Sequence, residues 1–96
     1  MNWICETGRV YSFDENNELL AEATYIPVGN QTVDINHTYV NPLYRGQGIA
    51  GEMMVAIAEL LRKDGLKAVA SCSYAEAWLR RHREQYHDVV SDDLER

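Results

Sequence analysis

Two periodicities divide the chain. Up to residue 40, apolar and polar positions alternate by twos. Between residues 48 and 63 apolar residues recur every third and fourth position. Arg9–Phe13 alternates as a strand does, and the polar run Asp14-Glu15-Asn16-Asn17-Glu18 reads as a turn leading into a second strand over residues 19–26. Pro27-Val28-Gly29-Asn30 is expected to break that strand. A third strand over Thr32–Val40 puts Val33, Ile35, His37 and Tyr39 on one face and Thr32, Asp34, Asn36, Thr38 and Val40 on the other. The first part of the chain is thus expected to be an antiparallel meander.

Asn41-Pro42-Leu43-Tyr44 reads as a turn, because proline fixes its own φ and disfavours helix at the residue before it. After Arg45-Gly46-Gln47-Gly48, the residues Ile49, Met53, Ile57 and Leu60, with Ala50, Met54, Ala56 and Leu61, form the apolar stripe of a helix over 48–63. Arg62 and Lys63 complement its C-terminal dipole, and Gly65 is a natural stop. The short apolar run 66–70 suits a buried parallel strand, so that strand, helix and strand make one βαβ crossover. A second helix is expected over 75–83, with Trp78, Leu79 and His82 facing inward and Ser71 or Ser73 as N-cap. Residues 86–90 suit a last strand or turn, and the polar residues 91–96 are expected to fray. The fold class implied is α/β, with a mixed α+β sheet and two main helices in one domain spanning residues 1–96.

Composition narrows this. Ninety-six residues, 46% hydrophobic and 25% charged, suit a single thin-cored globular domain and exclude disordered, collagen-like and coiled-coil chains. The net charge of −6 disfavours nucleic acid and anionic lipid as partners. Arg9 is the single base among residues 1–44, against Glu6, Asp14, Glu15, Glu18, Glu22 and Asp34. The acidity therefore lies in the first half, where it suits a cationic partner, and the second half is free to hold an anion. Cys5 and Cys72 are too few for a disulfide framework, and His37, His82 and His87 have no metal-site spacing. With no basic leader and no apolar run near the ~20 residues of a membrane span, a cytoplasmic protein is expected, as monomer or weak homodimer.

Arg45-Gly46-Gln47-Gly48-Ile49-Ala50 stands between a strand and a helix. Glycines there let backbone amides approach a ligand closely, and the first helical turn presents unpaired N–H groups at the positive end of the dipole. A diphosphate can be held by such amides plus Arg45 without a large basic patch.

These residues resemble a known family. Arg45-x-x-Gly48-x-Ala50 is similar to the pyrophosphate motif of the GNAT superfamily of acetyl-CoA-dependent N-acetyltransferases. His37-Thr38-x-Val40 before it and Cys72-Ser73-Tyr74 after the next strand resemble the small single-domain branch of that superfamily. The resemblance implies acetyl-CoA as cofactor. Its pantetheine arm would lie along the strand end at His37, Thr38, Tyr39 and Val40, and its pyrophosphate on the amides of Arg45, Gly46, Gln47, Gly48, Ile49 and Ala50. A cleft would open between splayed strands, with Cys72 and Ser73 close to the cofactor.

The implied activity is acetyl transfer to an amine, on a small molecule or a protein lysine. It needs a donor for the developing oxyanion, which a strand N–H near Tyr39 or Val40 supplies. His37 is the nearest titratable base, and Tyr74 or Tyr86 is the candidate acid for the departing thiolate. Cys72 offers a second route through an acetyl-cysteine, ranked below direct attack by the amine. Arg80, Arg81 and Arg83 are expected to form a solvated helix face, and are weak candidates for the coenzyme's 3′-phosphate. The rival reading is a non-catalytic acyl-CoA-binding sensor or scaffold.

Overall fold

The computed structural model describes residues 2–95. Five strands form one sheet in chain order: β1 (Ile4–Glu6), β2 (Arg9–Phe13), β3 (Leu19–Gly29), β4 (Thr32–Val40) and β5 (Lys67–Ala70). The first four pair antiparallel, and β5 runs parallel to β4. Helix α1 (Ile49–Lys63) makes the crossover between β4 and β5, and α2 (Ser73–Arg81) follows β5. The mixed α/β class, the meander and the crossover match the expectation. β1 is an addition: a three-residue edge strand exposed throughout has no alternation to read.

The expected break at Pro27 falls too early. β3 continues to Gly29 and the hairpin reverses at Asn30 and Gln31, whose φ angles of 54° and 57° are those of a hairpin turn with both central residues left-handed. Proline is tolerated because β3 has no further neighbour on the β2 side once the Tyr25 amide has bonded to the Gly8 carbonyl, and the register shifts between Pro27 and Gly29.

A bulge in β4 changes which residues share a face. Thr24 lies opposite His37 while Tyr25 lies opposite Ile35, so Asn36 is an extra residue with no residue of β3 in register opposite it. Val33 and Ile35 face the core. Past the bulge Thr38 and Val40, opposite the fully buried Ala23 and Ala21, take over that face. His37 and Tyr39 turn to the other face, with Thr24 and Glu22. The expectation that His37 and Tyr39 share a face with Val33 and Ile35 is thereby corrected, because counting by twos cannot register an inserted residue.

The core lies between that sheet face and the helices. Val10, Ala21, Ala23, Ile35 and Ala68 of the sheet pack in one cluster with Met53, Met54, Ile57 and Leu61 of α1 and with Ala75, Trp78 and Leu79 of α2. Burying a side chain of the size of Ile57 or Leu61 is worth roughly 1.5–3 kcal/mol, which is why α1 forms where its stripe meets the sheet. His82 is half-buried, stacked on Trp78 with ring centroids 4.1 Å apart.

Two further expectations are revised. α2 begins at Ser73 and its N-cap is Cys72; Ser71 instead gives its amide and hydroxyl to the Asp34 carboxylate at 2.6 and 2.8 Å. Residues 86–90 pass through turns to a single parallel bridge between Val90 and Ala68. The segment expected to fray is packed as far as Leu94: Asp92–Glu95 forms a 3-10 turn, Ser91 and Leu94 are buried, and the Arg80 guanidinium donates to the Leu94 carbonyl. Arg96 lies outside the described residues.

Candidate active site

The loop between β4 and α1 is shaped by its backbone. Asn41, nearly buried, donates its amide to the Leu20 carbonyl at 2.8 Å and caps a 3-10 turn, Pro42–Tyr44, by accepting from the Leu43 amide at 3.0 Å. Gly46 and Gly48 then adopt φ of 85° and 77°, a left-handed region costly for other residues. Gly48 caps α1 without a side-chain acceptor, which leaves the first-turn amides of the helix available to a ligand. A Cβ built at Gly46, Gly48 or Gly51 would meet nothing within 4 Å, so the space over the loop and first turn is open. Arg45, Gly46, Gln47 and Gly48 are exposed. Ile49 offers its backbone alone, since its side chain is in the core.

Beside this loop the sheet splits. β5 pairs with β4 over Thr32–Ile35, after which the chain turns away into α2 and leaves the edge of β4 without a neighbouring strand from Asn36 onward. A cavity of about 310 Å³ opens there, lined by Thr38, Tyr39 and Val40 of β4, Arg45 and Ala50, and Tyr74 of α2. The Cys72 Sγ lies 3.3 Å from the Thr38 Oγ1, and the Cys72 amide donates to the Ile35 carbonyl at 3.2 Å. Burial works to push the Cys72 thiol up. The Thr38 hydroxyl and the amides of Ala75 and Tyr74 at the head of α2 outweigh it, and the thiol sits below its ordinary value. Ser73 is exposed at the first position of α2.

The other candidates are distributed unevenly. Tyr74 stands at the cavity, its phenol pushed up by burial against an opposing pull from Arg81 and so neutral at physiological pH. His37 is exposed on the opposite face of β4, its Nε2 3.6 Å from the Glu22 Oε1, while the other Glu22 oxygen accepts from Arg9. Tyr86 is a correction. It is buried in the core against Trp78 and under the Arg62 guanidinium, whose carbon is 4.8 Å from its ring centroid. Arg62 is in the last turn of α1, about 20 Å along the helix from Ile49 at 1.5 Å per residue, so Tyr86 is not part of the site. Arg80 and Arg81 close α2 at the end away from Tyr74, with Arg80 beside Glu76 at 3.6 Å.

Sequence reasoning did not single out Glu22 or Asp14. Glu22 meets His37 through cross-strand register, and Asp14 meets Tyr44 across 30 residues, so neither leaves a local signal. A larger cavity of about 390 Å³ lies at the opposite end of β4, between Gly8, Tyr25, Pro27, Val33, Leu60 and Leu66. It has neither the glycine loop nor a helix N-terminus.

A left-handed glycine loop heading a helix, beside a parallel strand pair that parts, is the arrangement of one class of acyl-transfer proteins. The sequence profile of the GCN5-related N-acetyl-transferases matches residues 10–89, and the chain belongs to that family. Protein NATD1 of Xenopus tropicalis is 36% identical over 56 residues, 58% of this chain and 51% of that protein. The chain spans about half the length of the curated relatives it matches. The solution structure of a GCN5-like protein from Staphylococcus aureus superposes with a TM-score of 0.75 at 34% identity, covering 94% of this chain and 87% of that one. The ribosomal-protein-S18-alanine N-acetyltransferase of Escherichia coli, at 17% identity and a TM-score of 0.61 over 82% of this chain and 50% of its own, shares the fold.

Proposed function

We propose that this chain is an acetyl-CoA-dependent N-acetyltransferase that acylates an amine. The observation that carries the reading is the meeting of three features: the open amide-bearing loop of Gly46 and Gly48, the unpaired end of β4, and Cys72 bonded to Thr38 beside it. The fit to acetyl-CoA rests on the donor chemistry present. Oriented amides from Gly46 to Ala50 and the Arg45 cation suit a diphosphate, and the cavity lined by Thr38, Val40, Ala50 and Tyr74 suits a flexible, mostly apolar arm. Bound acetyl-CoA supplies an activated acetyl thioester.

The residues divide the remaining work. Backbone N–H groups on the free edge of β4 near Tyr39 and Val40 would donate to the negative charge that develops on the carbonyl oxygen. His37, on the open face of the sheet with Glu22 behind it, takes the proton from the approaching ammonium group, directly or through water. Tyr74, held neutral, has a proton to give to the departing thiolate. Direct attack by the amine needs no covalent enzyme intermediate, and Cys72 then serves to line the site. The acidity of residues 1–44 supports a cationic acceptor, such as a polyamine or a lysine side chain.

The test is to follow thiol release from acetyl-CoA across a panel of cationic, neutral and acidic amines. Release should be fastest with the cationic ones and should fall in Arg45→Ala through a raised KM for acetyl-CoA. The separation of His37 from Cys72 by the thickness of β4 also suits an acyl-CoA-binding module without turnover. Tight binding with no release on any amine would establish that second reading instead.

A further inference from the structure

We propose that Asp14 and Tyr44 form a strut that holds the diphosphate-binding loop in place, making them positioning residues for the coenzyme; this rests on the cofactor site described above. Eight residues, from Asn41 to Gly48, join β4 to α1. The chain is fixed at its start by Asn41, whose amide and Nδ2 donate to the carbonyls of Leu20 and Leu19. The next side-chain tie is Tyr44, whose hydroxyl donates to the Asp14 Oδ2 at 3.1 Å. Arg45, Gly46, Gln47 and Gly48 follow directly, all exposed, two of them glycines in a left-handed conformation. Such a segment has many accessible conformations, and fixing the residue before it limits how much order a ligand must impose.

The anchor is itself rigid. The Asp14 Oδ1 accepts from the amides of Asn16 and Glu18 at 2.8 and 2.9 Å, and the Asp14 backbone closes the turn with Glu18 and Asn17. One carboxylate oxygen therefore holds the β2–β3 turn and the other holds the cofactor loop. The Glu18, Asn16 and Tyr44 donors keep the carboxyl below its usual range, so it stays ionised at neutral pH and always accepts from the phenol. Asn17, in the same turn, has φ of 63°, which asparagine tolerates better than most residues. A polar turn that looks like a mere connection between two strands is thus joined to the loop proposed above to hold the coenzyme's diphosphate.

Tyr44→Phe removes one hydroxyl and keeps the ring. Losing this partly solvated hydrogen bond, counted at the net worth of an ordinary one, should weaken coenzyme A binding about 3- to 10-fold by calorimetry. The KM for acetyl-CoA should rise with it and kcat should stay within about 2-fold. In the coenzyme-free protein, the amides of Gly46, Gln47 and Gly48 should exchange with solvent faster in the variant. Asp14→Asn should act in the same direction, and the double variant should be no worse than the more affected single one, since the two side chains serve one contact. Unchanged coenzyme affinity in Tyr44→Phe, or effects of the two substitutions that multiply, would overturn the proposal. The exchange rates in the free protein read the strut without any ligand. A wild-type chain that binds no coenzyme A would overturn the proposed function, whereas unaltered loop exchange in Tyr44→Phe would overturn the strut alone.

Discussion

At the scale of single residues, Cys72 is the position where competing effects can be weighed. It is partly buried, which disfavours a thiolate, yet a hydroxyl from Thr38 and two amides at the head of α2 favour it more strongly. The rate of alkylation by iodoacetamide should therefore reach half its plateau at a pH below that of an ordinary thiol. Thr38→Val removes a donor to the charged form, so it should move that midpoint upward. An unmoved midpoint would mean that the helix amides act alone. If, as proposed, the amine attacks directly and bypasses the sulfur, Cys72→Ala should keep kcat within about 10-fold, whereas loss of a covalent nucleophile costs orders of magnitude more. His37 and Tyr86 mark the limits of residue-level reading. An imidazole and a phenol are chemically suited to proton transfer wherever they stand, and only packing reveals that Tyr86 is a core residue against Trp78.

At the scale of elements, most of the architecture was legible because each element carries its own periodicity. Of the stripe set out for α1, Ile49, Met53, Met54, Ile57 and Leu61 are buried, while Ala50, Ala56 and Leu60 are half-buried at its margin. The parallel strand β5 was legible as a short apolar run. What local pattern could not carry was register. The bulge at Asn36 decides that Thr38 and Val40 face the cavity while His37 faces away, and an extra residue in one strand is defined by its partner strand alone. Pro27 misled for a related reason: whether a proline ends a strand depends on whether a neighbour needs its N–H. Deleting Asn36 should remove the bulge and restore simple alternation while keeping Thr38 and Val40 on the core face and His37 and Tyr39 on the other, because Ile35 and Thr38 then stand two residues apart. That variant should keep coenzyme A affinity within about 10-fold by calorimetry, and a larger loss would mean that the bulge itself, beyond the face it assigns to Thr38 and Val40, shapes the edge of β4.

At the scale of the whole molecule, a thin core is supplemented by ties between distant parts of the chain. Arg62 bonds to Asp88 at 2.7 Å and to the Gln85 carbonyl at 3.0 Å, reaches Glu59, and covers the ring of Tyr86. These groups are exposed enough that solvent and salt weaken their attraction, so Arg62→Met should lower the melting temperature modestly and more so at low salt. Leu61→Ala, next to it and fully buried, should cost about 2–5 kcal/mol. The Arg62 guanidinium holds the Asp88 carboxyl below the usual range. Its contribution is therefore present above the unfolded carboxylate value of about 3.9 and is lost as pH falls through the lower folded one. Stability curves of Arg62→Met and wild type should accordingly converge in acid. Neither change should alter coenzyme affinity, since both lie at the far end of α1.

The acidic first half and the second half, which carries the glycine loop, meet along β4, and the central claim is that acetyl-CoA binds where they meet. Titration of the labelled chain with acetyl-CoA, followed by amide chemical shifts, tests it most directly. The amides of Gly46, Gln47, Gly48, Ile49 and Ala50 should move furthest, with Thr38, Val40 and Tyr74 following. Shifts confined to the larger cavity at the other end of the sheet, around Gly8, Leu60 and Leu66, or no shifts at all, would contradict the account.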